Sequence, residues 1–270
     1  MGRRRSHPAV LDIRRDTGQI RHVDKQRALA EELARKDKAF EALCHSVSHD
    51  LRAPLRTIDG FSQALLEDCA DKLDATGREY LDRVRAAAQR MAAMIDGLLQ
   101  LSRVSQAELL RVRTNLSEIA RSVADELQRK EPARRVALSI EDDRFAMADG
   151  RLMKVVLSHL LANAWKFTAR TGAPRIEFGA TEKDGATAFF VRDNGAGFDM
   201  AYVGKLFSPF RRLHGEAEFP GIGIGLATVQ RILDRHGGRV WAEGAVGRGA
   251  TIRFTLPDER IEGEPREVEV

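Results

Sequence analysis

The chain has 270 residues, 43% of them hydrophobic, which is enough for about two domains with real cores. No apolar run approaches the roughly 20 residues needed to span a bilayer, and the first residues lack the apolar stretch of a signal peptide, so a cytoplasmic protein is expected. The net charge of +4 is uneven: residues 1–28 are strongly basic, while the tail after Pro257 is rich in glutamate.

No aromatic residues interleave with Arg3-Arg4-Arg5 or Arg14-Arg15, and no DNA-reading motif follows them. That pattern reads as a solvated leader over residues 1–25, without a specific nucleic-acid partner. Cys44 and Cys69 follow no disulfide or metal spacing and are expected to be reduced.

From Gln26 to about Glu67 the chain reads as helix, interrupted only by Pro54, with apolar residues at Phe40, Leu43, Val47, Leu51, Leu55 and Ile58. Asp71 to Gly77 supplies a turn. A second helix over about residues 78–104 carries Tyr80, Val84, Ala87, Met91, Met94, Leu98 and Leu101 in alternating steps of four and three, a heptad seam. Two helices on a short loop make an antiparallel hairpin, here over residues 26–110, and a lone hairpin cannot bury both stripes. Association of two chains into a four-helix bundle, a homodimer, is the expected outcome. Docking of the hairpin on the chain's own second domain is the alternative.

His49 stands two residues from Val47 and two from Leu51, so a rotation of about 200° points it away from the apolar stripe. His45, one turn earlier, shares that exposure. Their neighbours separate them. Asp50 follows His49 and can take the proton from one ring nitrogen while the other attacks, whereas Ser46 after His45 offers no base. Pro54 removes the amide that would bond the Asp50 carbonyl and so is expected to bend the helix there. A histidine metal clip is the competing reading, but no third ligand accompanies the pair.

After Leu110 the texture changes to mixed helix and strand over residues 111–257. Residues 116–130 read as helix, 135–140 as strand and 151–167 as a strongly apolar helix. Strands over 175–180 and 187–192 flank Lys183-Asp184-Gly185, a hairpin turn. A helix over 225–236 and strands over 239–243 and 251–256 complete an α/β sandwich, with helices on one face of a mixed sheet. The fold class is α+β: a helical hairpin followed by this sandwich. Residues 258–270 form an acidic tail.

Three segments of the sandwich offer what Mg-ATP requires. The carboxamide oxygen of Asn163 suits a hard cation such as Mg2+. Lys166, three residues on, shares its helical face and can reach phosphates. Asp193 ends a strand and leads into Gly195 and Gly197, which permit tight turns against a flat ring while the carboxylate accepts from an adenine amino group. Gly221, Gly223 and Gly225 lead through Leu226 into a helix whose first amides favour phosphate oxygens. That glycine spacing is weak alone, but the absent P-loop lysine and absent βαβ unit count against the commoner nucleotide folds.

Ser48-His49-Asp50-Leu51-Arg52-Ala53-Pro54-Leu55 is followed in order by Asn163-Ala164-Trp165-Lys166-Phe167-Thr168, Asp193-Asn194-Gly195-Ala196-Gly197-Phe198 and Gly221-Ile222-Gly223-Ile224-Gly225-Leu226. The combination resembles the sensor histidine kinases of two-component systems over residues 26–257, most like the soluble cores that follow PAS or phytochrome sensors. The resemblance implies a Bergerat-type ATP site in which Asn163 holds Mg2+ and Asp193 selects adenine. It implies a mobile lid over residues 198–219, with Phe207 and Phe210 as packing anchors and Arg211 or Arg212 near the terminal phosphate. It further implies phosphoryl transfer from ATP to His49, then to an aspartate in the receiver domain of a separate response regulator.

Two positions depart from that family's pattern. His159 stands where a second asparagine is usual. Ala53 stands where members with strong phosphatase activity often carry Thr or Asn, so weak phosphatase activity is expected. A non-enzymatic ATP-binding scaffold and an ATP-driven machine of the mismatch-repair or chaperone type are the rival readings. Free phosphate release without phosphohistidine would mark the latter.

Overall fold

The structure, a computed structural model, describes residues 46–48, 50–104 and 108–257 except 184–185, 214, 216–217 and 220, together with Glu32 and Arg35. Cys44, His45 and His49 lie outside the described residues, as do the basic leader and the acidic tail. The chain divides into two compact units, Met1–Val47 and Ser48–Val270, and every element named below lies in the second.

Helix α1 covers residues 50–68 and runs through Pro54. Helix α2 spans Ala75–Val104, starting three residues before the heptad pattern places it. The side chain of Asp74 accepts the Gly77 amide at 2.7 Å and so caps the helix start. Arg78 holds the carbonyls of Ala70 and Leu73 in the connecting turn. Leu55, Ala88 and Ile95 form the buried cluster between the two helices. Tyr80, Val84, Met91 and Met94 of the heptad seam are exposed, as are Leu51, Ile58, Phe61 and Leu65 on α1. The seam therefore points away from the hairpin's own core.

The lobe that follows comprises β1 (Val112–Asn115), α3 (Leu116–Lys130), β2 (Ala137–Ile140), β3 (Phe145–Ala148) and α4 (Gly150–Phe167). It continues with β4 (Arg175–Lys183), β5 (Ala186–Asp193), α5 (Gly225–Arg235), β6 (Arg239–Ala245) and β7 (Gly249–Thr255). Five strands form one sheet in the order β2-β4-β5-β7-β6. β2 runs parallel to β4, and the other pairs are antiparallel, so the sheet is mixed as the sequence implies. Asp184 and Gly185, read as the β4–β5 turn, lie outside the described residues.

β1 and β3 pair antiparallel in a separate small sheet. The sequence reading has no strand at either place, because four residues carry too little alternation to register. Helices α3, α4 and α5 pack against the main sheet around a core that includes Leu116, Leu157, Leu161, Phe178, Ile232 and Phe254. Each such side chain contributes roughly 1.5–3 kcal/mol by leaving water.

Helix α4 positions the site. It starts where the Asp149 carboxylate accepts the amides of Arg151 at 3.0 Å and Leu152 at 3.4 Å. Leu152, Met153, Val156, Leu157, Leu160, Leu161, Ala164 and Trp165 are its buried face, repeating every three or four residues. That spacing leaves His159, Asn163 and Lys166 along a half-buried polar edge.

Candidate active site

The polar edge of α4 faces a cavity of about 470 Å³. Asn163 and Lys166 line it with Asp193 and Gly197 from the end of β5, Arg211 and Arg212 from the following segment, and Gly221, Gly223, Gly225 and Leu226 at the start of α5. Residues up to 63 positions apart in the chain (163 to 226) are thus brought to one place by the packing of α5 and β5 on α4. Gly195, Phe207, Phe210 and Asp50, all singled out in the sequence, do not line the cavity. Gly195 is buried in the turn behind it, where its amide donates to Asp193 Oδ1 at 2.8 Å. Phe207 is half-buried within the segment between β5 and α5. Asp50 is exposed on α1, and His49 lies outside the described residues.

The remaining wall is apolar. Leu160, Val191, Phe198, Phe219, Ile224 and Ile252 contribute to it, a surface suited to a flat ring with few hydrogen bonds. The aromatic anchors are Phe198 and Phe219, both buried, and Phe219 meets Phe167 edge-on at 5.1 Å. Phe210 does not serve as an anchor: it is 43% exposed. Its backbone adopts φ 61°, and its amide donates to the Gly223 carbonyl at 2.9 Å.

Backbone geometry demands glycine at two of the lining positions. Gly197 has φ 61°, and a Cβ there would overlap the Ala245 carbonyl. Gly223 has φ 77°, and a Cβ would lie 2.6 Å from the Arg211 carbonyl oxygen. Any L side chain at either position would be strained and would force the loop away from the cavity.

The charged groups lining the cavity include a largely buried carboxyl, Asp193, and the cations Lys166 and Arg212. Burial pushes the Asp193 carboxyl up to about 6, opposed by hydrogen bonds from the amides of Gly195 and Ala250. Burial and then the Arg212 charge hold the Lys166 ammonium below its ordinary value. Two cations brought this close in a half-buried place favour a shared anion. Arg212 is steered there by its bond to the Phe219 carbonyl at 2.7 Å. Burial also holds the His159 imidazole below its ordinary value, and its buried Nε2 has no hydrogen-bond partner among the described residues. An unsatisfied buried nitrogen costs about 1–3 kcal/mol, which a bound polar ligand would recover.

One wall is not legible in the nucleotide motifs. Ala93, Asp96, Gly97 and Gln100 of α2 close the cavity opposite α4. A Cβ on Gly97 would overlap the Ile224 side chain, so glycine permits the hairpin to approach the loop closely. The available signal was a glycine inside a helix, which costs roughly 1 kcal/mol against alanine and asks for a reason. Asp96 also takes the Arg52 guanidinium at 2.6 Å, two residues beyond Asp50. Helix α1 is thereby tied to the cavity wall.

Comparison with known proteins agrees with this arrangement. Residues 41–107 match the family model for the His Kinase A (phospho-acceptor) domain, and residues 148–260 match that for the Histidine kinase-, DNA gyrase B-, and HSP90-like ATPase. The chain is 30% identical over 263 residues to the Adaptive-response sensory kinase SasA of Synechococcus sp. (strain JA-3-3Ab), covering 94% of this chain and 67% of that protein. It is 33% identical over 248 residues to Cyanobacterial phytochrome B of Nostoc sp. (strain PCC 7120), covering 88% of this chain and 32% of that protein. The chain thus spans about a third of the length of the phytochrome relatives it matches. Full-length ShkA, solved in complex with AMPPNP, superposes with a TM-score of 0.55 at 25% identity, covering 80% of this chain and 45% of that one. Among the described residues no helix is long and apolar enough to cross a membrane. With a phosphoacceptor-type helical hairpin and an ATPase-like lobe in that order, this chain belongs to the sensor histidine kinases.

Proposed function

We propose that this chain is an ATP-dependent protein-histidine kinase core that phosphorylates His49 and then donates the phosphoryl group to an aspartate of a response-regulator receiver domain. The observation that carries the reading is the convergence of Asn163, Lys166, Asp193 and the 221–226 loop on one cavity, walled on the far side by the helical hairpin. A nucleotide cavity and an acceptor histidine on one chain are the two parts that phosphoryl transfer from Mg-ATP to protein requires.

Asp193 accepts from the adenine amino group, and the apolar wall holds the ring. Lys166 and Arg212 meet the phosphates, with the first amides of α5 beside them. Mg2+, when bound, would neutralise phosphate charge, and Asn163 is the residue that would hold it. Among the described residues no group of three or more His, Cys, Asp or Glu converges as a metal cage, so phosphate oxygens would supply much of the coordination. One imidazole nitrogen of His49 attacks the terminal phosphorus. The bond from that phosphorus to the bridging oxygen breaks, ADP leaves, and Asp50 accepts the proton from the other nitrogen. A second chain is expected to cover the exposed seam of α1 and α2, giving a homodimer.

The test is direct. Incubation with γ-labelled ATP should yield an acid-labile label on the unaltered protein and none on His49→Gln. Label persisting on that variant would refute the assignment, and phosphate release without any protein label would favour an ATP-driven machine.

A further inference from the structure

Helices α4 and α5 pack side by side, and each has one end at the cavity. Their other ends meet in a second polar cluster that does not line the cavity. From Asn163 back to Asp149 is about 21 Å along a helix, and from Gly225 on to His236 about 16 Å. Asp149 is 1% exposed and His236 is fully buried. The Asp149 amide donates to His236 Nε2 at 3.1 Å, which places the ring proton on Nδ1, 2.8 Å from the Ile232 carbonyl oxygen. Burial holds the His236 imidazole below its ordinary value, in keeping with an acceptor at Nε2.

This pair and its neighbours also bond the backbone at the junction between hairpin and lobe. Asp149 Oδ2 accepts the Leu110 amide at 3.2 Å. Arg111 donates to the His236 carbonyl at 3.0 Å, and Arg235 donates to the Val104 carbonyl. Arg151, paired with Asp149 at 2.8 Å, also reaches the Glu108 carbonyl at 3.5 Å. Val104 is buried in the lobe's core, and Leu109 packs against it. A segment that merely connected two bodies would leave its backbone to water, and motion between the bodies would be the default. Here side chains from both helices hold the backbone on each side of residues 105–107.

We propose that Asp149 and His236 are positioning residues for phosphoryl transfer: they fasten the end of the hairpin to the far ends of α4 and α5, and so set how the cavity is presented to the hairpin that carries the acceptor. Neither residue lines the cavity. The inference rests on the kinase reading for its readout.

The experiment uses the full chain and compares Mg-ATP affinity, phosphohistidine formation at saturating Mg-ATP, and hydrogen exchange at the Leu110 amide. The double variant Arg111→Ala with Arg235→Ala loosens the junction while keeping both partners of the Asp149 amide–His236 Nε2 bond. It should leave affinity within about twofold, speed exchange at Leu110, and slow phosphohistidine formation at least about fivefold. His236→Leu, which orphans the Asp149 amide, should do the same. His236→Gln offers an acceptor oxygen in place of Nε2 and should recover at least about half the original rate. An unchanged or raised rate in the double variant, with Leu110 exchanging faster, would overturn the proposal. So would affinity and rate falling together, which marks damage to the lobe. Absence of label on the unaltered protein would overturn both this proposal and the kinase reading, whereas normal label there with an unaffected double variant would overturn the proposal alone.

Discussion

His159 and Gly225 meet across the floor of the cavity: a Cβ on Gly225 would lie 3.0 Å from His159 Nδ1. The first turn of α5 is therefore seated on an imidazole whose Nε2 is left without a partner among the described residues. Gly225→Ala should push the ring and lower Mg-ATP affinity by about tenfold, equivalent to about 1.4 kcal/mol. His159→Asn makes room for that methyl group, so the double variant should bind better than the sum of the single changes allows. Titration calorimetry of the four proteins checks the coupling. Strict additivity would show that the two residues act separately.

Burial of the Asp193 carboxyl costs stability. Its folded value of about 6 lies above its ordinary 3.8, so the native state holds this proton more tightly than the unfolded chain does. Stability consequently falls as pH rises from about 4 to about 6, and the full cost of the buried charge is present above that. Asp193→Asn removes the charge and keeps an acceptor for the Gly195 amide. The nucleotide-free variant should be about 1–3 kcal/mol more stable at pH 7 by denaturant titration. It should also lose at least about tenfold in ATP affinity. In the unaltered protein ATP affinity should weaken as pH falls through about 6, where the carboxylate is lost.

Lys166 and Arg212 both line the cavity and are proposed to meet the phosphates. Lys166→Met should weaken binding of ATP and ADP by about tenfold while leaving adenosine within about twofold, since only the phosphates lose a partner. The loss should shrink at high ionic strength, because exposed portions of the phosphate field are screened. Equal losses for ATP and adenosine would place Lys166 in the wall and not at the phosphates.

Met91 is 46% exposed and Phe61 is 70% exposed, on facing helices of one hairpin. If these residues form the seam between two chains, Met91→Glu with Phe61→Glu should convert a dimer to a monomer in sedimentation equilibrium. ATP affinity should change little, because neither residue lines the cavity. A dimer that persists would put the interface elsewhere.

The polar edge of α4, the glycine turns and the carboxylate at the end of β5 were readable because each depends on residues within one turn of one another. A helix periodicity places Asn163 and Lys166 on one face wherever the helix goes, and a strand ending in Asp193-Asn194-Gly195 turns whatever packs on it. The hairpin was readable for the same reason. Its heptad seam was also readable, but not the side that seam would face, since Ala88, Ile95 and Leu99 offer a second apolar row at equivalent spacing.

Non-local contacts were invisible. β1 and β3 find each other across 29 residues between their last and first members (115 to 145 less one), too short individually to announce a strand. Phe219 is buried while Phe210, whose backbone takes a positive φ and bonds Gly223, is exposed, and nothing local in the sequence separates the two. The Gly97–Ile224 approach, the Asp149–His236 bond and the grip on Val104 join residues from 87 to 131 positions apart. Periodicity and turn chemistry act through the backbone's own short repeat and need no knowledge of what lies opposite. A cavity wall or a buried polar pair exists only once packing has brought two distant faces together and removed the water between them.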